Sequence, residues 1–263
     1  MRTLRALVVC LAAGAAVPAA ADVWDVQSDN DNSQTTDNEL IHGSVQLHDL
    51  GVLTGNNHDE DWYLVGQAPR SSYELVVDGA SGDIADKGVG VFRMANDAAT
   101  TLQTSVSIST GLDYARSLRW ENSGAAQVND QYIRILSTSC TTDCGPDDQY
   151  RVRFYETTFS IPRFNVTASQ NTVLLIQNPT ENTVNGRAYF WNAAGGLEHT
   201  QPFIIGPHSL FTLSLSTVPI LVGKSGTVTV SHTARYGELV GKAVAVEPAT
   251  GFSFDSMMVW RPR

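Results

Sequence analysis

Three cysteines in 263 residues are too few for a disulfide scaffold or a thiolate metal centre. Cys10 lies in an N-terminal apolar stretch, and Val9 before it does not belong to a small-residue lipobox, which argues against a lipid anchor. The other two stand in Ser139-Cys140-Thr141-Thr142-Asp143-Cys144. Their spacing is not the C-x-x-C of a redox pair, and the two offer fewer ligands than a zinc site needs. In an oxidising compartment Cys140 and Cys144 read as a local disulfide, whose small loop contributes only about 2 kcal/mol.

Long apolar runs are also lacking. No segment reaches the roughly 20 residues of a membrane-spanning helix. The first 21 residues have instead the layout of a secretory signal: basic Arg2 and Arg5, an apolar stretch from Ala6 to Val17, and small residues ending in Ala19-Ala20-Ala21. Cleavage there would leave a soluble, secreted or periplasmic chain beginning at Asp22.

Positive charge is scarce, 17 Lys and Arg against 27 Asp and Glu, and unevenly placed. Residues 22–156 carry 22 acidic against 8 basic side chains, a net of −14, whereas residues 157–263 carry 5 against 7, a net of +2. Such a shift marks two modules, 22–157 and 158–263, with different surfaces. The acidic first half would repel nucleic acid and favours divalent cations.

Sequence signatures of common catalytic machineries are missing. The six histidines are scattered, with no H-E-x-x-H pair. There is no G-x-S-x-G elbow, and Gly223-Lys224-Ser225-Gly226 lacks the upstream glycine of a phosphate loop. Asp59, Glu60 and Asp61 could in principle serve as the paired carboxylates of a glycosidase, but such a pair needs one acid kept protonated by an apolar pocket, and this stretch is polar. A solvated turn that stops a strand accounts for the three charges equally well.

What the chain does have is strand periodicity in both halves. Tyr150, Val152 and Phe154 alternate with Gln149, Arg151 and Arg153, and Ser72 to Val77, Gln103 to Ile108 and Gln131 to Leu136 follow the same two-residue period. The second half repeats the pattern in Thr172 to Gln177, Arg187 to Trp191, Ser209 to Leu215, Thr227 to Val230, Val240 to Val246 and Phe252 to Val259, with turns at Asn178-Pro179, Asn185-Gly186 and Gly206-Pro207. Many short, evenly spaced strands predict an all-β protein of two tandem antiparallel β-sandwich domains of jelly-roll or Ig-like type.

Several features of the first half occur in a familiar order: Asp29-Asn30-Asp31-Asn32, Gly43-Ser44, Asp59-x-Asp61-Trp62-Tyr63, Tyr73 to Gly79 with Gly82-Asp83, and Tyr150-x-Val152-x-Phe154. Together they resemble the bacterial pre-peptidase C-terminal domain, a secreted β-sandwich module found beside exported hydrolases. Some members of that family bind calcium through an N-terminal acidic segment and the aspartates before the aromatic strand. The resemblance implies Asp29, Asn30, Asp31, Asp59 and Asp61 as calcium ligands here, although the family's usual Glu-Pro opening is absent. Asp59 and Asp61, two apart on a strand, would face one side about 7 Å apart, where a divalent ion would relieve their repulsion. The stretch from Asp29 fails as an EF-hand loop, since Gln34 stands where glycine is needed and Leu40 where the bidentate glutamate belongs. The second half resembles an uncharacterised sandwich module at the C-termini of exported bacterial proteins, through Leu174 to Thr180, Tyr189 to Gly195 and Ala249 to Asp255.

Aromatic side chains are the remaining candidates for ligand contact. Trp120, Tyr114 and Trp191, with Trp24, Tyr189 and Trp260, could form a stacking platform for sugar rings or a polymer, or could simply fill the core. The expectation is therefore an exported, non-catalytic, calcium-stabilised binding module for an extracellular polysaccharide, fibrous protein or cell-envelope partner. A secreted hydrolase, or an accessory remnant of one, and a ligand-free structural spacer are the alternatives.

Overall fold

A computed structural model describes residues 24, 31, 33–51, 59–107, 115–140, 144–167 and 169–261. The signal-like segment 1–21, Asp29, Asn30 and Tyr114 lie outside these residues. Two antiparallel β-sandwiches follow one another along the chain, and the described residues contain short 3-10 turns but no α-helix.

The first sandwich is built from β1 (Val45–Asp49), β2 (Glu60–Gln67), β3 (Ser71–Gly79), β4 (Gly90–Met94), β5 (Thr101–Thr104), β6 (Val106–Ser107), β7 (Ala115–Asn122), β8 (Val128–Leu136) and β9 (Gln149–Glu156). One sheet has the order β1-β9-β3-β7-β6 and the other β2-β8-β4-β5. Inward alternation builds the core: Tyr150, Val152 and Phe154 of β9 and Ile133 and Ile135 of β8 are buried, while their neighbours reach the surface. Cys140 and Cys144 are joined by a disulfide, and both are buried against this core.

In the second sandwich β10 (Phe159–Asn165), β12 (Val184–Asn192), β13 (Leu197–Ile205), β15 (Ser225–His232) and β18 (Val259–Trp260) form a sheet of order β13-β12-β15-β10-β18. β11 (Asn171–Asn178), β14 (Ser209–Ser214), β16 (Val240–Glu247) and β17 (Phe252–Met257) form the opposing sheet, β14-β11-β16-β17. Phe164, Leu174, Ile176, Phe190 and Val230 occupy its separate core.

Two stretches that read as single strands are divided between sheets. Gln103 to Ile108 breaks at Ser105, so that β5 pairs with β4 in one sheet and β6 with β7 in the other. Phe252 to Val259 breaks at Met258, with β17 on β16 and β18 on β10. A strand that turns a sandwich corner keeps its extended backbone while changing partners, so periodicity alone cannot reveal the break.

β3 departs from simple alternation, because eight of its nine residues are buried. Its inward face carries Tyr73, Leu75 and Val77, and its outward face meets the second sandwich. Ser72 accepts from Thr157 Oγ1 at 2.8 Å and from the His232 amide at 3.2 Å, while the Glu74 carboxylate accepts from Ser117 Oγ at 2.9 Å and from the Tyr236 amide at 2.7 Å. Arg187 pairs with Glu121 across the same junction. A row of stacked rings, Tyr155, Tyr236, Trp260 and Phe159, continues it, with successive centroids 4.5, 4.3 and 4.2 Å apart. Arg70, held at a positive φ of 53°, places its guanidinium 5.2 Å from the Trp191 ring centroid. These contacts join the sandwiches through polar and aromatic groups rather than one continuous hydrophobic core.

Burial also shifts the acids and bases of this junction. Glu74, Glu121 and Glu156 are raised by loss of hydration, and His232 is lowered to about 4 for the same reason. The folded chain holds the His232 proton less tightly than the unfolded chain. Its contribution to stability is therefore complete above pH 6.5 and is lost as pH falls through about 4. The raised glutamates act in the opposite sense, contributing most at low pH and less as pH rises. His232→Asn, whose amide oxygen can take the Ala234 amide that Nδ1 now accepts at 3.1 Å, should isolate the histidine term. Urea unfolding at pH 7 and pH 4 is expected to show the variant losing about 2–3 kcal/mol less than the parent over that interval. Equal losses would contradict the assignment.

Candidate metal centre

The site lies where β1, β2 and the segment leading to β1 converge. Asp31, Asn38 and Leu40 pair with β2: the Trp62 amide donates to the Asp31 carbonyl at 2.7 Å, the Leu64 amide to the Asn38 carbonyl at 2.9 Å, and the Leu40 amide to the Leu64 carbonyl at 2.9 Å. Glu39 and Leu64 form a parallel bridge. On β2, Asp61 shares the inward face with Tyr63 and Val65, which places a carboxylate in the sandwich interior. β1 is inverted in polarity. Its apolar Val45 and Leu47 are exposed, whereas His48 is fully buried.

Asp31, His48 and Asp61 meet at this point, with one ligand-capable atom of each lying within 4.8 Å of the other two. His48 Nδ1 is 3.4 Å from Asp31 Oδ2 and 3.8 Å from Asp61 Oδ1. All three side chains have 0% relative exposure, and Asp59 has 1%. The imidazole is stacked between Trp24 and Tyr150, at centroid distances of 5.5 and 5.7 Å, and meets the edge of Tyr63 at 5.2 Å.

Hydrogen bonds orient the acids and the ring. Tyr150 Oη donates to Asp61 Oδ2, and Tyr63 Oη lies 2.9 Å from Tyr150 Oη. Burial, then the neighbouring Asp61 charge, pushes the Tyr150 phenol well above its ordinary range and keeps it a donor. With that proton engaged by Asp61, the Tyr63 hydroxyl is the donor to Tyr150. On the other side, Asn38 Nδ2 donates to Asp31 Oδ2 at 3.5 Å, Gln46 Nε2 donates to Asn38 Oδ1 at 2.9 Å, and Gln46 Oε1 lies 3.0 Å from His48 Nε2. A carboxylate offers only acceptors, so it sets the direction of both amides in turn. Gln46 Oε1 therefore needs a proton from His48 Nε2, and Nδ1 is the nitrogen aimed at the carboxylates.

Carboxylates shielded from water in this way are costly unless a positive charge or donors compensate them. Asp31 Oδ1 accepts no hydrogen bond from the described residues. The arrangement is suited to holding a cation. The same burial denies a large substrate access to Asp59 and Asp61, as a glycosidase pair would require.

Of the five residues expected from sequence, Asp31 and Asp61 lie in this cluster, Asp59 is buried two residues along the chain from Asp61, and Asp29 and Asn30 lie outside the described residues. His48 was not anticipated. Its signal was the pattern Val45-Gln46-Leu47-His48, in which the polar residues share one face of a strand. His48 adds to the cluster a nitrogen donor that the all-oxygen calcium set implied by the family resemblance does not contain.

Within the expected aromatic platform, Trp120 requires correction, because it is a core residue. Trp120 is 4% exposed and stacks on Tyr73 and Phe154, at 5.7 and 6.2 Å, inside the first core. Trp191 belongs to the second sandwich, where its indole N–H donates to Thr229 Oγ1 at 3.0 Å beneath Arg70. Tyr114 lies outside the described residues, and Trp24 packs on His48. Burying Trp120 gains far more from core packing than an exposed indole would, which explains its place.

No protein-family model matches the sequence, and no curated protein matches it. Similar solved structures include one described as Thermotoga maritima 1070, with 14% identity and a TM-score of 0.35, covering 40% of this chain and 94% of that one. A β-glucuronidase from Bacteroides uniformis has 10% identity and a TM-score of 0.21, covering 78% of this chain and 27% of that one. A glycosyl hydrolase family 2 member from Bacteroides cellulosilyticus has 6% identity and a TM-score of 0.20, with coverages of 75% and 28%. The chain thus spans little more than a quarter of either hydrolase, and at these TM-scores none of the three bears on what it does.

Tyr150→Phe would remove the proton donated to the buried Asp61 carboxylate without opening a large cavity. It is expected to lower the unfolding free energy by about 1–3 kcal/mol in urea titrations. A change below about 0.5 kcal/mol would show that the carboxylate does not depend on this hydroxyl.

Proposed function

We propose that the chain is an exported, non-catalytic binding module whose first sandwich is completed by a buried cation. The buried meeting of Asp31, His48 and Asp61 carries this reading. An ion there would bind together the segment before β1, β1 itself and β2, three parts of the chain that backbone pairing joins only in part. The excess of 22 acidic over 8 basic side chains in residues 22–156 would draw cations toward the site. The Cys140–Cys144 disulfide suits an oxidising, extracellular compartment.

The proposed work of the module is recognition of an extracellular polymer, and the outer face of the β14-β11-β16-β17 sheet is suited to it. Leu175, Leu210, Val240 and Met257 line an open groove of about 320 Å³ there, with Lys242 and Gln177 as polar neighbours. A shallow apolar groove on a rigid sheet can seat an extended partner without rearrangement.

Thermal unfolding in a chelator and in a series of divalent cations tests the ion's role. Saturating cation, at about 100 times its Kd, adds about 2.7 kcal/mol, which for a chain of this size raises the midpoint by about 5–10 °C. Asp31→Ala and Asp61→Ala should abolish the rise. Midpoints that are identical with chelator and with every cation would overturn the reading. Retention on insoluble polysaccharides and fibrous proteins, weakened by Leu210→Asp with the melt unchanged, would support recognition through the groove. Retention by none of them would favour a spacer.

A further inference from the structure

Granting that the cluster holds a cation, we infer that the ion is a borderline divalent transition metal of the zinc type, and not calcium. The donor set decides the class. Calcium collects six to eight oxygens, whereas imidazole nitrogen with a few carboxylates is the ligand set of zinc and its neighbours. His48 is not a bystander, because the amide relay from Asp31 through Asn38 and Gln46 commits Nε2 as a donor and turns Nδ1 toward Asp31 and Asp61. This is the outer-shell support typical of metal-bound histidine: the nitrogen away from the metal donates to a fixed acceptor, setting tautomer and ring angle. Stacking between Trp24 and Tyr150 restrains the ring further.

Distances separate this arrangement from a simple ion pair. A protonated Nδ1 bonded to a carboxylate would close to about 2.7–2.9 Å. Here Nδ1 stands 3.4 Å from one carboxylate oxygen and 3.8 Å from the other. Ligand atoms around a tetrahedral zinc at bonds of about 2.0–2.1 Å lie about 3.3–3.4 Å apart, close to the first of these separations. With all three atoms within 4.8 Å of one another, a point about 2.8 Å or less from each exists between them, so an inward adjustment of well under about 1 Å per ligand would reach zinc bond lengths. Asp31 Oδ1, buried and accepting no hydrogen bond from the described residues, offers a third oxygen beside Asp31 Oδ2 and Asp61 Oδ1.

The test is a competition on the full chain, stripped with chelator and titrated separately with zinc, cobalt and calcium while thermal unfolding is followed. Zinc and cobalt are expected to raise the midpoint at concentrations at least about tenfold below those calcium needs. The cobalt form should show visible d–d absorption from nitrogen and oxygen ligation. His48→Gln should lose those bands and most of the zinc preference. If that variant does not fold, the parent's ion preference and cobalt spectrum still decide the matter. Stabilisation by calcium at equal or lower concentration than zinc would overturn this inference while leaving the cation role intact. No shift with any ion would overturn both.

Discussion

The exclusion of water from Asp31 and Asp61 is the constraint around which the first sandwich is arranged. A carboxylate in the interior costs several kcal/mol unless its charge is compensated, and here two converge on one imidazole nitrogen. The surrounding groups answer that cost. Tyr150 donates to Asp61, Tyr63 supports Tyr150, and Asn38 donates to Asp31. The Asp31 carbonyl also accepts from the Trp62 amide, so the charged site and the backbone pairing of Asp31, Asn38 and Leu40 to β2 stand or fall together.

Polarity inversion in β1 is the structural consequence. A strand covering a hydrophobic core would turn Val45 and Leu47 inward, but these are exposed, while His48 faces the acids and Gln46 bonds to Asn38 and His48. The strand is kept in place by its pairing with β9, where His48 lies opposite Tyr150. That register brings the imidazole over the phenol that also serves Asp61. A shift by one residue would put Leu47 against the carboxylates and leave them without a nitrogen partner.

Much of the fold was legible in the sequence, because inward alternation in β8 and β9 and turn residues between strands are local signals. Corners were not legible: nothing in Thr104-Ser105-Val106 or Met257-Met258-Val259 says that pairing passes to the other sheet. β3 looked half-exposed because its outward partners, including Tyr236 and His232, lie about 160 residues away. At the site, Asp31 and Asp61 could be named from acidic spacing and family resemblance. His48 could not, since its role depends on the register of β1 against β9. Trp120 illustrates the converse limit, as the residue type suits a sugar platform or a core equally well and only its neighbours Tyr73 and Phe154 decide.

The most direct test of the central claim is anomalous diffraction from crystals of the metal-loaded chain, recorded on both sides of the zinc absorption edge. The account predicts an anomalous peak between Asp31, Asp61 and His48 Nδ1, within bonding distance of all three. A site without such a peak, in which Nδ1 has closed onto a single carboxylate oxygen at hydrogen-bond distance, would contradict it.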